Sequence, residues 1–318
     1  MTEPDTFGDL PTLRTFCPVG TTGIYAYYKG RTCPWRSSNW YDETLALSVA
    51  TYSIVSGDSA LLFDAGLTPA HGAYMLAHVR SLGARSVTTV YSHFHADHIA
   101  GASALRDTKI VAHKSTQERM RQNAEKLRNP GEGGGPSIDV MFPTETYEKS
   151  LSLLVGDILV ELHNFHIHTA DSTFLFLPDV GLIFAGDMLE DTVTYLSEPE
   201  DLRTQLEDLE RMAQLPIKKI FPAHSSPDRI KAGGFDKSLI DATIRYLKAL
   251  DEPVKKPVAW ERNLKDVVKD DLVAGRLIFL EAYEGVHQEN IESMKEIRDE
   301  STADMMKKSG EGNIDIWT

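Results

Sequence analysis

Cysteine is nearly missing from this chain. Cys17 and Cys33 are the whole supply in 318 residues, too few for a disulfide framework. They could pair, but two free thiols in a cytoplasmic protein is the simpler expectation. Long apolar runs are missing too. No stretch approaches the roughly 20 apolar residues that cross a bilayer, and MTEPDTFGDLPTL lacks the basic start and apolar run of a signal peptide. No membrane partner is expected. Basic residues are outnumbered: 33 Lys and Arg stand against 47 Asp and Glu, a net charge of −14. That sign is wrong for displacing counterions from nucleic acid, so no nucleic-acid partner is expected either.

The apolar and charged fractions, 42% and 25%, are those of an ordinary globular protein. With so little thiolate, a metal site here must be built from imidazole and carboxylate, and eleven histidines are present.

Along the chain, residues 1–45 read as a loop-rich, aromatic lead-in, with Tyr25, Tyr27, Tyr28, Trp35, Trp40 and Tyr41 as candidates for a pocket wall, a core or a dimer contact. LALSVATYSIV and ALLFDAG flank Gly57-Asp58, a hairpin pattern. Pro69 to Leu82 has helical spacing and stops at Gly83. SVTTVYS, residues 86–92, is a short strand running into HFHADH. A helix at 99–105, a strand at 109–113 and a polar helix from Ser115 to about Arg128 follow. NPGEGGGPS, residues 129–137, is a surface loop, beside the site or a plain connector.

Strands resume with SLSLLVG, ILVELHNFHIH, TFLFLP and GLIFAGD. Helices are predicted over about 200–215 and 236–250, with the strand KKIFPAH between them. Residues 251–318 read as a helical extension, packed on the same domain as residues 46–250. Its acidic, amphipathic segment suits a covering or dimerising helix, and a homodimer is compatible with it. Hairpins followed by strand–loop–helix units suggest two packed sheets with helices outside, a four-layer αββα sandwich.

Polar residues gather where four strands end: after 86–92, after 158–167, after 182–185 and after 219–222. His93, His95, Asp97 and His98 crowd one loop. Imidazole and carboxylate suit zinc, iron or manganese, and solvated surface histidines are the weaker account of such a cluster. His166 competes with His168, since both face one way on an extended strand; the strand end favours His168. His163 reads as a sheet residue and His113 as a helix cap. His71, His78 and His287 read as solvated helical residues. Asp64 is expected to hydrogen-bond a ligand imidazole, or else to shape the turn before Gly66.

His93-X-His95-X-Asp97-His98 resembles the signature of the metallo-β-lactamase fold superfamily. His168-Thr169-Ala170-Asp171-Ser172, Gly186-Asp187, Phe221-Pro222-Ala223-His224 and the upstream Leu62-Phe63-Asp64-Ala65-Gly66 are similar to its other stations, over about residues 46–250. The resemblance implies a dinuclear site. His93, His95 and His168 would hold one divalent metal and Asp97, His98 and His224 a second, with Asp187 bridging; zinc is expected, with manganese or iron as alternatives. It further implies a hydrolase that uses a metal-bridging hydroxide, oriented by Asp97, on an ester, lactone, thioester, amide-type or related bond of a small molecule.

Departures narrow the branch. Asp187 stands where the zinc β-lactamases carry cysteine, and His95 where the flavodiiron enzymes carry glutamate. Glu190 stands where the quorum-quenching lactonases carry tyrosine, with Tyr195 nearby as a substitute. An iron-dependent oxygenase of the same fold and a non-catalytic metal-binding partner or sensor remain the alternatives.

Overall fold

The computed structural model describes residues 13–31, 46–131, 137–252 and 257–311, with side chains up to residue 299. Seven strands form the first sheet: β1 (Arg14–Phe16), β2 (Ile24–Lys29), β3 (Val49–Ser56), β4 (Ser59–Phe63), β5 (Ser86–Val90), β6 (Lys109–His113) and β7 (Glu145–Tyr147). They lie side by side in chain order, antiparallel from β1 to β4 and parallel from β4 to β7. The second sheet runs in the order β12 (Lys219–Pro222), β11 (Leu182–Gly186), β10 (Thr173–Leu177), β9 (Ile158–Asn164) and β8 (Ser150–Val155); only the β11–β12 pair is parallel.

Strand periodicity explains the layers. In β4, Leu61 and Phe63 pack between the sheets, while Ala60 and Leu62 face outward. In β11, Leu182 and Phe184 point to the inter-sheet core, and Ile183 and Ala185 point away from it. At these strands the outward faces are not solvated. Helix α1 (Pro69–Ser81), a 3₁₀ segment at Ala100–Leu105 and helix α2 (Lys114–Gln122) lie on the first sheet's side. Their apolar residues, Met75, Val79, Leu105 and Met120 among them, share a core with Leu62 and Ile110. Helices α3 (Leu202–Met212), α4 (Ser238–Leu250) and α5 (Tyr283–Glu311) cover the second sheet. These are the four layers expected of the αββα sandwich, with a helical C-terminal region added.

The lead-in is not all loop. Ile24, Ala26 and Tyr28 face the inter-sheet core and Tyr27 the opposite side, so β2 is a buried strand paired to β3. Its period-2 pattern was hidden because tyrosines, amphipathic in themselves, occupy both faces. Tyr25, Tyr27 and Tyr28 are therefore core or helix-packing residues, while Cys33, Trp35, Trp40 and Tyr41 lie outside the described residues, as do residues 132–136 of the Gly-rich loop. The strand expected over 158–167 ends at Asn164. His166 and His168 thus leave the sheet, and His168 adopts a left-handed backbone, φ 69°.

Candidate metal centre

The site sits where β5, β9, β11 and β12 run out. β5 delivers Ser92 and His93. His95 then precedes a single helical turn, Ala96–Ile99, that carries Asp97 and His98. β11 ends in Gly186, whose φ of 55° turns the chain into Asp187. A Cβ at Gly186 would stand 3.0 Å from Cβ of Ser92, so glycine is favoured by both conformation and space. His224 follows β12 by two residues.

All seven expected ligands meet. Asp187 Oδ2 is their centre, 3.1 Å from His98 Nε2, 3.2 Å from His224 Nε2, 3.6 Å from His93 Nε2 and 3.7 Å from His168 Nε2. Asp97 Oδ2 lies 3.5 Å from His98 Nε2 and 3.4 Å from His224 Nε2, and His168 Nε2 lies 3.1 Å from His95 Nδ1. Two groups result: His93, His95, His168 and Asp187, then Asp97, His98, His224 and Asp187, each with its donor atoms within 4.8 Å of one another. The shared carboxylate is the one the sequence marked as bridging.

The donor set suits divalent metal. His93 Nε2 and Asp187 Oδ1 are buried without a hydrogen-bond partner, a costly state that a coordinated metal relieves. Ring tautomers agree. His98 Nδ1 donates to Asp64 Oδ2 at 2.8 Å, His168 Nδ1 to the Tyr195 carbonyl at 3.0 Å, and His224 Nδ1 to the Ser48 carbonyl. Carboxylate and carbonyl oxygens only accept, so each Nδ1 carries a proton and Nε2 is the nitrogen left to meet a metal.

The electrostatics are those of a site built for positive charge. Burial opposes the charge on Asp187, but the His224 and His98 imidazoles outweigh it and hold the carboxyl well below the usual range. Burial, with neighbouring imidazoles, drives His93 down and takes His95 to about 3, so these rings are neutral. Glu190, buried beside the cluster, is pushed up to about 7 by burial, against the pull of His224. Its carboxylate takes hydrogen bonds from Tyr283 Oη at 2.7 Å and from the Tyr195 N–H at 3.0 Å.

Several supporting residues were given no role by the sequence reading. Ser92 Oγ touches Asp64 Oδ2, His93 Nδ1 and His98 Nδ1 at once. Asp171 Oδ2 accepts from the Phe94 N–H, and Gln205 Oε1 from the His168 N–H. Only Ser92 and Asp171 adjoin recognisable motifs; Ser48 and Gln205 act from 176 and 37 residues away. His166 stays outside the cluster, bonded to Glu198 at 2.8 Å. With Glu198 and Asp201 it forms a further donor group, but Glu198 already binds Arg119 and the Ala170 N–H.

Other histidines are placed as follows. His163 lies in β9 against Phe174, and His113 caps α2, both as expected. His71 and His287 are not solvated. His71 is buried against Thr51, and burial lowers its pKa to about 3; His287 is buried between Tyr246 Oη and the Arg262 carbonyl. His78 is half-buried and bonds Tyr27 Oη. In each case a tertiary partner supplies what the helix surface would have left to water.

The profile of the metallo-beta-lactamase superfamily matches residues 45–224. The chain belongs to the metallo-β-lactamase superfamily. Solved structures with the same fold include a metallo-beta-lactamase from Pontibacter korlensis, 19% identical with a TM-score of 0.57, covering 74% of this chain and 99% of that one. A metallo-beta-lactamase from Hirschia baltica is 16% identical with a TM-score of 0.55, covering 74% and 97%. The DIM-1 metallo-beta-lactamase exposed to ceftazidime is 18% identical with a TM-score of 0.55, covering 74% and 95%. No curated protein matches in sequence. Among the described residues of this superfamily member, no helix is long and apolar enough to cross a membrane.

Proposed function

We propose that the chain is a dinuclear metal-dependent hydrolase acting on an ester, lactone, thioester or amide-type bond of a small neutral molecule. The observation that carries this reading is the position of Asp187 Oδ2 among four imidazole nitrogens, with Asp187 Oδ1 buried and unpartnered. When bound, two dications, zinc for preference, would acidify a water and polarise the substrate's carbonyl oxygen. Asp97 reaches the same cavity and can take or orient the water's proton. Nδ1 contacts from Asp64, Tyr195 and Ser48 hold three imidazoles in one tautomer.

Substrate size and charge follow from the cavity, which has a volume of about 500 Å³. That volume suits a small molecule rather than a polymer. Its described lining includes Glu190 and Glu289 and no Lys or Arg, so among the described residues an additional anionic group of the substrate meets no Lys or Arg there. Neutral carbonyl compounds fit best.

The test is metal analysis joined to a substrate panel. Protein purified without chelator is expected to hold two metals per chain and to hydrolyse a member of an ester, lactone and thioester series. Asp187→Asn keeps the side chain's shape but removes the charge that offsets metal–metal repulsion; turnover is expected to fall at least about a hundredfold, the scale of lost charge stabilisation at a reacting centre. Two metals and full turnover in Asp187→Asn defeat the bridging role. Iron with dioxygen-dependent turnover defeats the hydrolase.

A further inference from the structure

The first turns of α5 present two faces. Tyr283, His287 and Asn290 point into the protein. Tyr283 Oη bonds Glu190, His287 Nδ1 bonds Tyr246 Oη, and Asn290 receives the Leu196 N–H while donating to the Thr194 carbonyl. Ala282, Gly285, Val286 and Glu289, spaced as one helical stripe, line the same cavity as His95, Asp97, His168 and His224. Apolar lining also comes from Ala46 and Leu47. The start of the helix is thus a wall of the metal-side cavity, small and apolar at Ala282, Gly285 and Val286, with the Glu289 carboxylate one turn further on.

Gly285 has no conformational reason to be glycine. It lies in helical backbone, without the positive φ that marks other glycines, and a Cβ built on it meets nothing within 4 Å. Glycine is disfavoured in helices against alanine. At an exposed helical position with neither strain nor a close neighbour, what its missing side chain leaves is open room at the edge of the cavity.

We propose that Gly285 is a specificity-determining residue: the space before it receives an apolar group, alkyl or aryl, attached to the substrate's hydrolysable bond. This rests on the hydrolase reading for the reaction but not for the binding. Filling the space shortens the apolar group that fits, and a hydrophobic pocket discriminates by about tenfold or more per methylene excluded.

The test uses Gly285→Ala, Gly285→Phe and a control, Gln288→Phe, whose position is exposed and outside the cavity lining. Two readouts are taken on zinc-loaded protein: hydrolysis of p-nitrophenyl esters from acetate to octanoate, and thermal stabilisation by the matching free carboxylates. Gly285→Ala is expected to melt no lower than wild type. Gly285→Phe is expected to lose activity and carboxylate stabilisation progressively with chain length, by about tenfold or more at octanoate. Gln288→Phe should keep the wild-type length profile in both readouts. A fall in melting temperature for Gly285→Ala overturns the proposal, because the glycine is then structural. So does an unaltered length profile in Gly285→Phe. If the carboxylates show the length effect while no ester, lactone or thioester is hydrolysed, the wall stands and the hydrolase reading fails.

Discussion

Asp64 Oδ2 accepts a 2.8 Å hydrogen bond from Nδ1 of His98, and the same carboxylate accepts the N–H and Oγ–H of Ser92 at 2.7 and 2.9 Å. Asp64 itself sits at φ 69°. The end of β4 is therefore bent into a left-handed turn that aims one carboxylate at a ligand and at the loop carrying it.

Asp64→Asn isolates the charge from the geometry, because asparagine also tolerates positive φ. Zinc affinity, measured by chelator competition, is expected to drop about 10- to 100-fold, with melting in excess zinc close to wild type. Wild-type affinity in the variant removes Asp64 from the account of the site.

His166 and His168 separate cleanly by substitution. His168→Ala removes a nitrogen 3.7 Å from Asp187 and 3.1 Å from His95, and should strip a metal together with activity. His166→Ala breaks the 2.8 Å contact to Glu198 and should keep both metals while costing about 1 kcal/mol of stability. Metal loss from His166→Ala alone reverses the assignment.

Glu198 is expected to show itself in acid. Burial opposes its charge, but His166, Arg119 and the Ala170 N–H prevail and lower its pKa to about 2. A carboxyl depressed on folding stabilises the fold above its unfolded value, near 4.5, and loses that contribution as pH falls through about 2. Glu198→Gln should therefore cost about 1–2 kcal/mol at pH 7, after allowance for partial solvent screening, and the gap to wild type should close by about pH 2. Denaturant titration at several pH values checks it; a gap independent of pH means that packing, not charge, is what the variant loses.

The candidate ligands were legible because they follow strand ends, and a strand end followed by imidazole or carboxylate is a local pattern. His93 through His98, Asp187 and His224 needed no knowledge of neighbours. His168 was legible as a residue but not as a conformation: nothing local shows that β9 stops at Asn164 and that His168 turns left-handed. His71 and His287 were misread for a related reason. Their helices look solvated until Thr51 and Tyr246 arrive from other parts of the chain. Ser48 has no motif around it, yet its carbonyl sets the tautomer of His224. A covering C-terminal helix was legible, but not that it walls the pocket, since the placement of α5 depends on side-chain bonds to the loop after Asp187.

That loop also gives the molecule an order of assembly in time. All seven candidate ligands lie between His93 and His224, whereas the hydrogen bonds that Asn290 makes to Thr194 and Leu196 span 96 and 94 residues. At about 5–20 residues per second of synthesis, residue 290 follows residue 224 by roughly 3–13 s. A growing chain therefore carries every imidazole and carboxylate of the centre before it owns the helix that closes the cavity.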